Sequence, residues 1–348
     1  MNSTATHSDH VEDPASLSQT TPGWQQQLRT AITDADTLFD ILQLPQAWLP
    51  AARAATRLFP LRVPRAFIAR MQPGAIDDPL LRQILPLDAE HTTVSGFSLD
   101  AVGDQASASG DGLLHKYHGR ALVMTTGACA VNCRYCFRRH FDYAGNNAAR
   151  QRWRAVIDRI AADSSIEEVI LSGGDPLTLA DSKLAALTDA LAVMPHVRRI
   201  RFHTRLPVVL PARIDSAFLR YFGSIAAQRI VVIHANHGNE LDTDTTRALA
   251  QLRDAGAVLL NQSVLLKDVN DNVAALATLS ERLFDAGVLP YYLHLLDRVA
   301  GTAHFEVAQN RAEQLLRRLA ARLPGYLVPR LARESAGAPA KSVIGYRF

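Results

Sequence analysis

From residue 119 onward, short apolar runs alternate with longer stretches in which apolar positions recur at helical spacing. The runs are rich in β-branched residues and predict six strands, over 120–126, 167–173, 198–204, 229–235, 258–266 and 290–296. Helices are predicted between or after them, near 147–162, 179–193, 213–225, 242–255, 272–286 and 306–322. The runs are apolar throughout rather than alternating, which is typical of parallel strands covered on both faces. The pattern therefore predicts an α/β fold with a parallel sheet.

Six strand–helix units favour a partial (β/α)6 TIM-like barrel. A complete barrel of eight units takes about 250 residues, and fewer follow residue 119. A doubly wound sheet is the alternative. A further apolar run, 326–332, predicts a last strand. In either architecture the chemistry is expected at the carboxyl ends of the strands.

The part of the chain before the barrel divides into two regions. Residues 1–22 are polar and predict a disordered tail. Residues 23–112 predict an N-terminal helical region, with apolar side chains at helical spacing and prolines that divide it into short helices. The Gly- and Ser-rich stretch 102–112 predicts a linker at its end. The barrel, with the C-terminal segment, is assigned to 113–348.

Composition and charge exclude several classes of protein. The chain is 48% hydrophobic and 20% charged, with a net charge of +3. This small charge gives no reason to expect a nucleic-acid partner. The absence of an apolar run near 18 residues predicts no membrane span, and the polar N-terminus predicts no signal peptide. We therefore expect a cytoplasmic protein, and the sequence leaves open whether it forms a homo-oligomer.

All three cysteines of the chain lie in GACAVNCRYCFRRH, residues 127–140. Four interpretations compete for Cys129, Cys133 and Cys136. A structural zinc site needs four ligands, so His140 would have to be the fourth ligand beside the three cysteines. A redox pair of Cys133 and Cys136 leaves Cys129 unexplained, and three buried thiols within eight positions would be a coincidence. The fourth interpretation is a [4Fe–4S] cluster held by three thiolates, with one iron open to a ligand.

The spacing C-x3-C-x2-C directly after a first predicted strand, with an aromatic residue before the last cysteine, resembles the radical S-adenosylmethionine (SAM) enzymes. The resemblance implies that SAM binds the open iron. An electron donor such as flavodoxin or ferredoxin would then drive its cleavage to a 5′-deoxyadenosyl radical. The motif SGGDPL after the second strand is a plain turn when taken alone, but it matches the segment that binds SAM in these enzymes. The SAM-binding positions implied are Tyr135, Ser172, Gly173, Gly174, Asp175, His234 and Gln262.

Further motifs resemble the lysine 2,3-aminomutase family, over most of the chain from about residue 60. They include HKYHGR (115–120), RLPVVLPARI (205–214), HANHGNEL (234–241), NQSVLLKDVND (261–271) and PYYLHLLDRVAGTAHF (290–305). The likeness is nearest to the short members that serve elongation factor P (EF-P). It implies an isomerase that converts (S)-α-lysine to (R)-β-lysine, which a partner ligase attaches to EF-P. Two alternatives stay open: β-lysine for another pathway, and a non-catalytic iron–sulfur or zinc protein.

The family also uses pyridoxal 5′-phosphate (PLP), which a lysine holds covalently. The chain has only four lysines, and Lys341 matches the family position, although a lysine so near the end of the chain is also typical of an exposed tail. The resemblance implies further contacts to PLP from Lys116, Tyr117, Arg120 and Arg205.

The resemblance also implies how L-lysine binds. Arg138 matches the arginine that pairs with the substrate carboxylate, and Asp297 and Glu334 match two acids that bind the distal ammonium. The archetypal aminomutases carry Asp where this chain has Glu334, which lengthens the side chain by a methylene. They also continue past the PLP lysine and bind a structural zinc, whereas this sequence ends at Phe348 without spare cysteines. This difference favours the short type.

Overall fold

A computed structural model describes residues 23–107, 112–143 and 152–345. The predicted tail 1–22, residues 108–111 of the linker and the beginning of the predicted helix 147–162 lie outside the described residues.

The described chain forms one sheet of nine strands in sequence order. β2 to β8 are parallel, and β1 and β9 add antiparallel edges. The strands are β1 Leu113–Tyr117, β2 Arg120–Thr126, β3 Glu168–Gly173, β4 Arg199–Thr204, β5 Gln228–Ile233, β6 Val258–Val264, β7 Leu289–His294, β8 Arg330–Arg333 and β9 Ser342–Val343. The predicted α/β fold is thus confirmed as six βα units, followed by the predicted last strand.

Helices cover the sheet and reflect the apolar spacing of the sequence. Those of the barrel lie between consecutive parallel strands: α7 Arg152–Ala162, α8 Asp181–Ala192, α9 Leu206–Val209, α10 Ser216–Ser224, α11 Thr243–Asp254, α12 Val273–Asp285 and α13 Gln309–Ala320. Several begin at an Asp or Asn whose side chain accepts a backbone N–H, as Asp215, Asp242 and Asn272 do, which satisfies donors that a helix start leaves unpaired. All six residues of β3 are buried, as expected for a strand covered on both sides.

The first strand, β1, is an element that the apolar pattern did not predict. It forms because Gly119, with φ +73°, allows a tight turn that folds β1 back onto β2. The motif HKYHGR therefore lies on a β-hairpin at the sheet edge. Lys116 and Tyr117 are therefore strand residues.

The N-terminal region is helical, as predicted, with α1 Trp24–Arg29, α2 Ala35–Leu42, α3 Leu49–Leu58, α4 Arg65–Ile68, α5 Pro79–Arg82 and α6 Asp104–Ser107. It shares one hydrophobic core with the barrel. Phe39, Phe67 and Leu80 belong to the same buried cluster as Phe202 and Phe218. The helical region is therefore packed onto the barrel, and α6 begins inside the stretch that composition predicted as linker.

A buried ion cluster also joins the helical region to the loop after β2. The Glu90 carboxylate accepts from Arg134 Nε at 2.8 Å and Nη2 at 2.5 Å, and from Arg139 Nη2 at 2.7 Å. The side chains of Glu90 and Arg134 are fully buried. Removing one partner leaves buried charge without compensation, which is costly.

We expect Glu90→Gln to lower the free energy of unfolding by about 3–5 kcal/mol, because two arginines lose their carboxylate. Urea unfolding followed by circular dichroism measures the change. The matched control is Asp244→Asn, which breaks an exposed 2.9 Å pair with Arg247 and should cost less than about 1 kcal/mol. Equal losses in the two variants would show that the buried cluster contributes no more to the free energy of unfolding than an exposed ion pair does.

Candidate functional site

The carboxyl ends of the parallel strands surround a cavity of about 320 Å³. Every residue that the sequence assigned to cysteine, SAM, PLP or substrate positions lines this cavity. They come from the strands β1, β2, β3 and β6, from the loops after β2, β3, β4, β5 and β7, and from the segment after β8. The fold thus brings together side chains that lie more than 200 positions apart in sequence, such as Lys116 and Lys341.

The three cysteines lie in the loop after β2 as free thiols, each partly buried. A turn brings Cys136 N to Cys133 O at 3.0 Å, and Arg134 N donates to Gln83 O at 2.9 Å, which fastens the loop to the helical region. Burial raises the pKa of Cys136 to about 11, and the neighbouring Cys133 adds to the rise. Crowded, buried sulfurs of this kind suit a positively charged group placed among them, as the irons of a cluster would be.

Arg205 provides a cation beside this loop. Its Nη1 donates to Cys133 Sγ at 2.8 Å, and its Nη2 donates to Gln83 Oε1 at 2.6 Å and Glu240 Oε2 at 2.8 Å. The resemblance implied that Arg205 contacts PLP. In the structure, its guanidinium lies beside Cys133, and both of its Nη atoms donate hydrogen bonds.

The SGGDPL loop runs against the backbone just before Cys129. A Cβ on Gly173 would lie 2.6 Å from Thr126 O, and one on Gly174 would lie 2.3 Å from Ala128 O. Such distances do not occur in real structures, so both positions require glycine. The loop therefore fixes the path of the chain into the cysteine segment.

Asp175 holds this loop in place. Its carboxylate accepts from Thr204 Oγ1 and Arg205 N, each at 2.7 Å, and from Leu177 N at 3.0 Å. Burial raises the pKa of Asp175 to about 6, although these hydrogen bonds oppose the rise. The two carboxylate oxygens of Asp175 are thus occupied by hydrogen bonds within the protein.

Two predicted SAM positions pair on neighbouring strands, since His234 Nε2 and Gln262 Nε2 lie 3.0 Å apart. Burial lowers the pKa of His234 to about 3, so the ring is neutral at pH 7. His203 packs edge-on against it, with ring centres 6.0 Å apart. Among the described residues, His203 Nε2 has no hydrogen-bond partner. A neutral wall of this kind suits an uncharged part of a ligand.

Lys341 lines the same cavity and lies immediately before β9. Because β9 pairs with β8, Lys341 is held by the sheet and is not part of an exposed tail. Its Nζ lies 3.4 Å from His294 Nε2, 3.6 Å from Glu334 Oε2 and 5.5 Å from the centre of the Tyr292 ring. A primary amine beside an aromatic face, with Lys116 and Arg120 as cations in the same cavity, fits PLP and its phosphate.

The two acids, Asp297 and Glu334, form an anionic corner near Lys341. Burial raises the pKa of Asp297 to about 7, and the charge of Glu334 raises it further, whereas Lys341 opposes the rise. The pKa of Tyr117 is also raised, by burial and then by Glu334. Two acids that share one partly buried corner favour the binding of a cation.

Arg138 also lines the cavity, is 9% exposed and forms an ion pair that the sequence did not predict. Its Nε donates to Asp104 Oδ2 at 2.6 Å, and its Nη1 donates to Ser172 Oγ at 3.3 Å. Lys116 Nζ lies 2.5 Å from Asp104 Oδ1 and 3.4 Å from Glu334 Oε1. Charged groups thus line the cavity from Arg138 to Lys341.

The sequence missed several residues of this cavity, among them Asp104, Tyr143, His203 and His294. Asp104 lies in the stretch predicted as linker, and only its acidic side chain among small residues gave a signal. His203 and His294 stand at the end of predicted strands, where a polar side chain is a usable signal.

The class of protein follows from the similarity of the chain to known proteins. Residues 123–278 match the model of the Radical SAM superfamily, so the loop after β2 and the SGGDPL loop lie in a radical SAM domain. This class uses a [4Fe–4S] cluster and SAM, and the three cysteines fit the cluster. No set of three or more His, Cys, Asp or Glu side chains within the described ranges is arranged around a single metal ion.

The chain belongs to the L-lysine 2,3-aminomutase family, and it is therefore an isomerase of the aminomutase type. It is 50% identical to an L-lysine 2,3-aminomutase of Escherichia coli, over 92% of this chain and 93% of the relative. It is 46% identical to that of Haemophilus influenzae, over 92% and 95%. A radical SAM methyltransferase of known structure from Sphaerobacter thermophilus aligns over 64% of this chain and 68% of its own, with a TM-score of 0.42 and 18% identity.

No helix in the described ranges has both the length and the apolar character needed to cross a bilayer.

Proposed function

We propose that this enzyme is a PLP-dependent lysine 2,3-aminomutase that makes (R)-β-lysine for the modification of EF-P. The observation that supports lysine as the substrate is the distribution of charge in one cavity. Arg138 pairs with Asp104 and reaches Ser172, and Asp297 and Glu334 lie near Lys341 in the same cavity. A free amino acid with a carboxylate and a distal ammonium matches this pattern, because each end meets opposite charge.

We assign the residues as follows. Arg138 holds the substrate carboxylate, and Asp297 and Glu334 hold the distal ammonium. Lys341 would hold PLP, and Lys116, Tyr117 and Arg120 would bind its phosphate end. Cys129, Cys133 and Cys136 hold the cluster. Tyr135, Ser172, Gly173, Gly174, Asp175, His234 and Gln262 surround SAM, and Arg205 is assigned to PLP from the resemblance.

When bound, the two cofactors supply a carbon radical that removes hydrogen and a π system that lets an amino group move between neighbouring carbons. The chain's own contribution is to bind, orient and enclose the substrate. The neutral His234 presents no charge on the SAM side, so the charged ends of lysine are attracted elsewhere. This arrangement turns the middle of the substrate chain toward the reacting groups.

Several parts of the proposal rest on the resemblance alone. They are the link to EF-P and its β-lysine ligase and an electron donor such as flavodoxin or ferredoxin. We propose the cytoplasm as the compartment, because free thiols stay reduced there. The division into a helical region (23–112) and a catalytic barrel (113–348) is also a proposal, and the shared core makes the two one packed unit.

The experiment that tests the function is anaerobic reconstitution with iron, sulfide, PLP, SAM and dithionite, followed by product analysis with L-lysine. We expect (R)-β-lysine, with SAM recovered. Omission of PLP should stop the reaction. Purified EF-P and its ligase should then take up the product. A preparation that carries cluster and PLP but leaves L-lysine unchanged would refute the proposal.

The pKa of Asp297 predicts how lysine binding depends on pH. Because this pKa is raised to about 7, Asp297 becomes neutral as the pH falls below 7 and then attracts the ammonium less. Of its charged neighbours, Glu334 and Asp104 raise this pKa, and Lys341 and Lys116 lower it. We expect kcat/KM for L-lysine to fall toward low pH through about pH 7.

Asp297→Asn should remove this limb of the profile and lower kcat/KM at pH 8 by roughly tenfold or more, since one charge-assisted contact is lost. Steady-state kinetics from pH 6 to 8.5 measures both effects. Asp285→Asn, at the exposed end of α12, is the control and should keep the unaltered profile. If Asp297→Asn keeps the same limb, another group titrates there.

A further inference from the structure

We propose that Asp104 is a positioning residue of the substrate site: it orients Arg138 toward the substrate carboxylate and keeps Lys116 away from the ammonium end. This inference rests on the proposed function. Asp104 lies before β1, in a stretch whose composition predicts a linker, and its side chain is 3% exposed. A carboxylate buried to this degree is retained only where it has charged partners.

The contacts of Asp104 fix one edge of Arg138. Its Oδ2 accepts from Arg138 Nε at 2.6 Å, and Arg138 Nη1 reaches Ser172 Oγ at 3.3 Å. A guanidinium offers a carboxylate either its Nε side or its Nη end. Since Asp104 takes the Nε side, a substrate carboxylate has to approach at the Nη end. Asp104 therefore determines the direction from which Arg138 binds.

The other oxygen of Asp104 controls Lys116. Lys116 Nζ lies 2.5 Å from Asp104 Oδ1 but 3.4 Å from Glu334 Oε1. Without the Asp104 charge, Lys116 would pair more fully with Glu334 and compete with a substrate ammonium for it. Burial alone would raise the pKa of Asp104. Arg138 and Lys116 overcome this effect and lower it, so Asp104 stays charged between them.

Hydrogen bonds to the backbone hold the segment around Asp104 in place. The Asp100 carboxylate accepts from Asp104 N at 2.9 Å and from Gln105 N at 3.0 Å. Upstream, Ser98 N donates to Arg298 O at 3.0 Å and Ser98 O accepts from Ala300 N at 2.8 Å, next to Asp297. Gly103, with φ +68°, brings the segment against Ala336, whose Cβ would lie 3.0 Å from a Cβ at 103.

This path, which we call the 98–104 strap, runs from the loop after β7 to Asp104 at the cavity. It contacts the loop after β7 and the segment that leads to Lys341. Among the described residues of the strap, Asp104 is the one acidic residue that lines the cavity. Asp104 is therefore held in a fixed place relative to both ends of the substrate.

The test compares Asp104→Asn, Asp104→Glu and the control Asp88→Asn, an exposed acid of the same region, in the fully reconstituted enzyme. We expect Asp104→Asn to raise KM for L-lysine by about tenfold or more with kcat changed by less than about threefold. Asp104→Glu should restore most of the affinity, and Asp88→Asn should match the unaltered enzyme.

Cadaverine, which is lysine without its carboxylate, separates positioning from general damage. Its inhibition constant should rise in Asp104→Asn, because Lys116 then competes for Glu334. It should rise less than KM for L-lysine, because L-lysine also loses the oriented Arg138. Parallel rises would overturn the inference, as would an unchanged KM. Calorimetric titration with L-lysine measures the affinity without turnover, and an unchanged Kd in Asp104→Asn would likewise overturn the inference. Failure of the unaltered enzyme to form β-lysine would instead refute the proposed function.

Discussion

Replacing Lys341 with alanine is expected to abolish formation of β-lysine while leaving the iron content of the enzyme unchanged. Lys341 Nζ lies in the cavity beside Glu334, His294 and the Tyr292 ring. The loss should be on the order of 10³-fold or more in kcat/KM, because covalent attachment of the cofactor is removed. Product analysis by mass spectrometry and the visible spectrum of the cluster measure the two effects separately.

The matched control is Lys183→Ala, on the exposed face of α8, which should keep full activity and PLP absorbance. Addition of a small amine such as methylamine to Lys341→Ala should restore a little turnover, since free amine can exchange with the cofactor in place of the side chain. Retained activity in Lys341→Ala without added amine would remove Lys341 from its role. The assignment of Lys116, Tyr117 and Arg120 to PLP would then need another anchor.

The parts of this molecule that the sequence predicts are those set by local patterns. Apolar runs separated by helical spacing predict the parallel strands, because each strand is buried on both faces whatever lies beside it. The cysteine segment is equally local, since all three thiols and the turn that joins Cys133 to Cys136 lie within eight residues. Once the strands are placed, their carboxyl ends have to meet, which gathers the predicted site residues in one cavity.

The parts that the sequence does not predict depend on partners distant in the chain. Asp104 looks like a linker residue because nothing near it in sequence shows that Arg138 and Lys116 lie within 3 Å. β1 lacks the apolar run of the other strands, since it is an edge strand with a partly exposed face. The contacts of the Arg205 guanidinium to Glu240 and Cys133 are revealed only by the folded arrangement.

Loss of one cysteine is expected to have an effect as large as loss of Lys341, through a different measurement. In Cys133→Ala the remaining Cys129 and Cys136 leave a second iron without a thiolate. We expect the reconstituted protein to hold less than about half of the four irons and four sulfides, and to cleave no SAM. Iron and sulfide assays, the electron paramagnetic resonance spectrum after reduction and 5′-deoxyadenosine release check this.

His140→Ala provides the control that separates a cluster from a zinc site. A zinc site would need His140 as its fourth ligand, yet His140 Nε2 lies 3.0 Å from Ala300 O, a backbone carbonyl. We therefore expect His140→Ala to keep its iron and to cleave SAM like the unaltered enzyme. Retention of the iron in Cys133→Ala would contradict the cluster. Tight zinc binding that is lost in His140→Ala would contradict it too. Because the radical chemistry starts at the iron that no thiolate occupies, that outcome would also remove the basis for lysine rearrangement in this cavity.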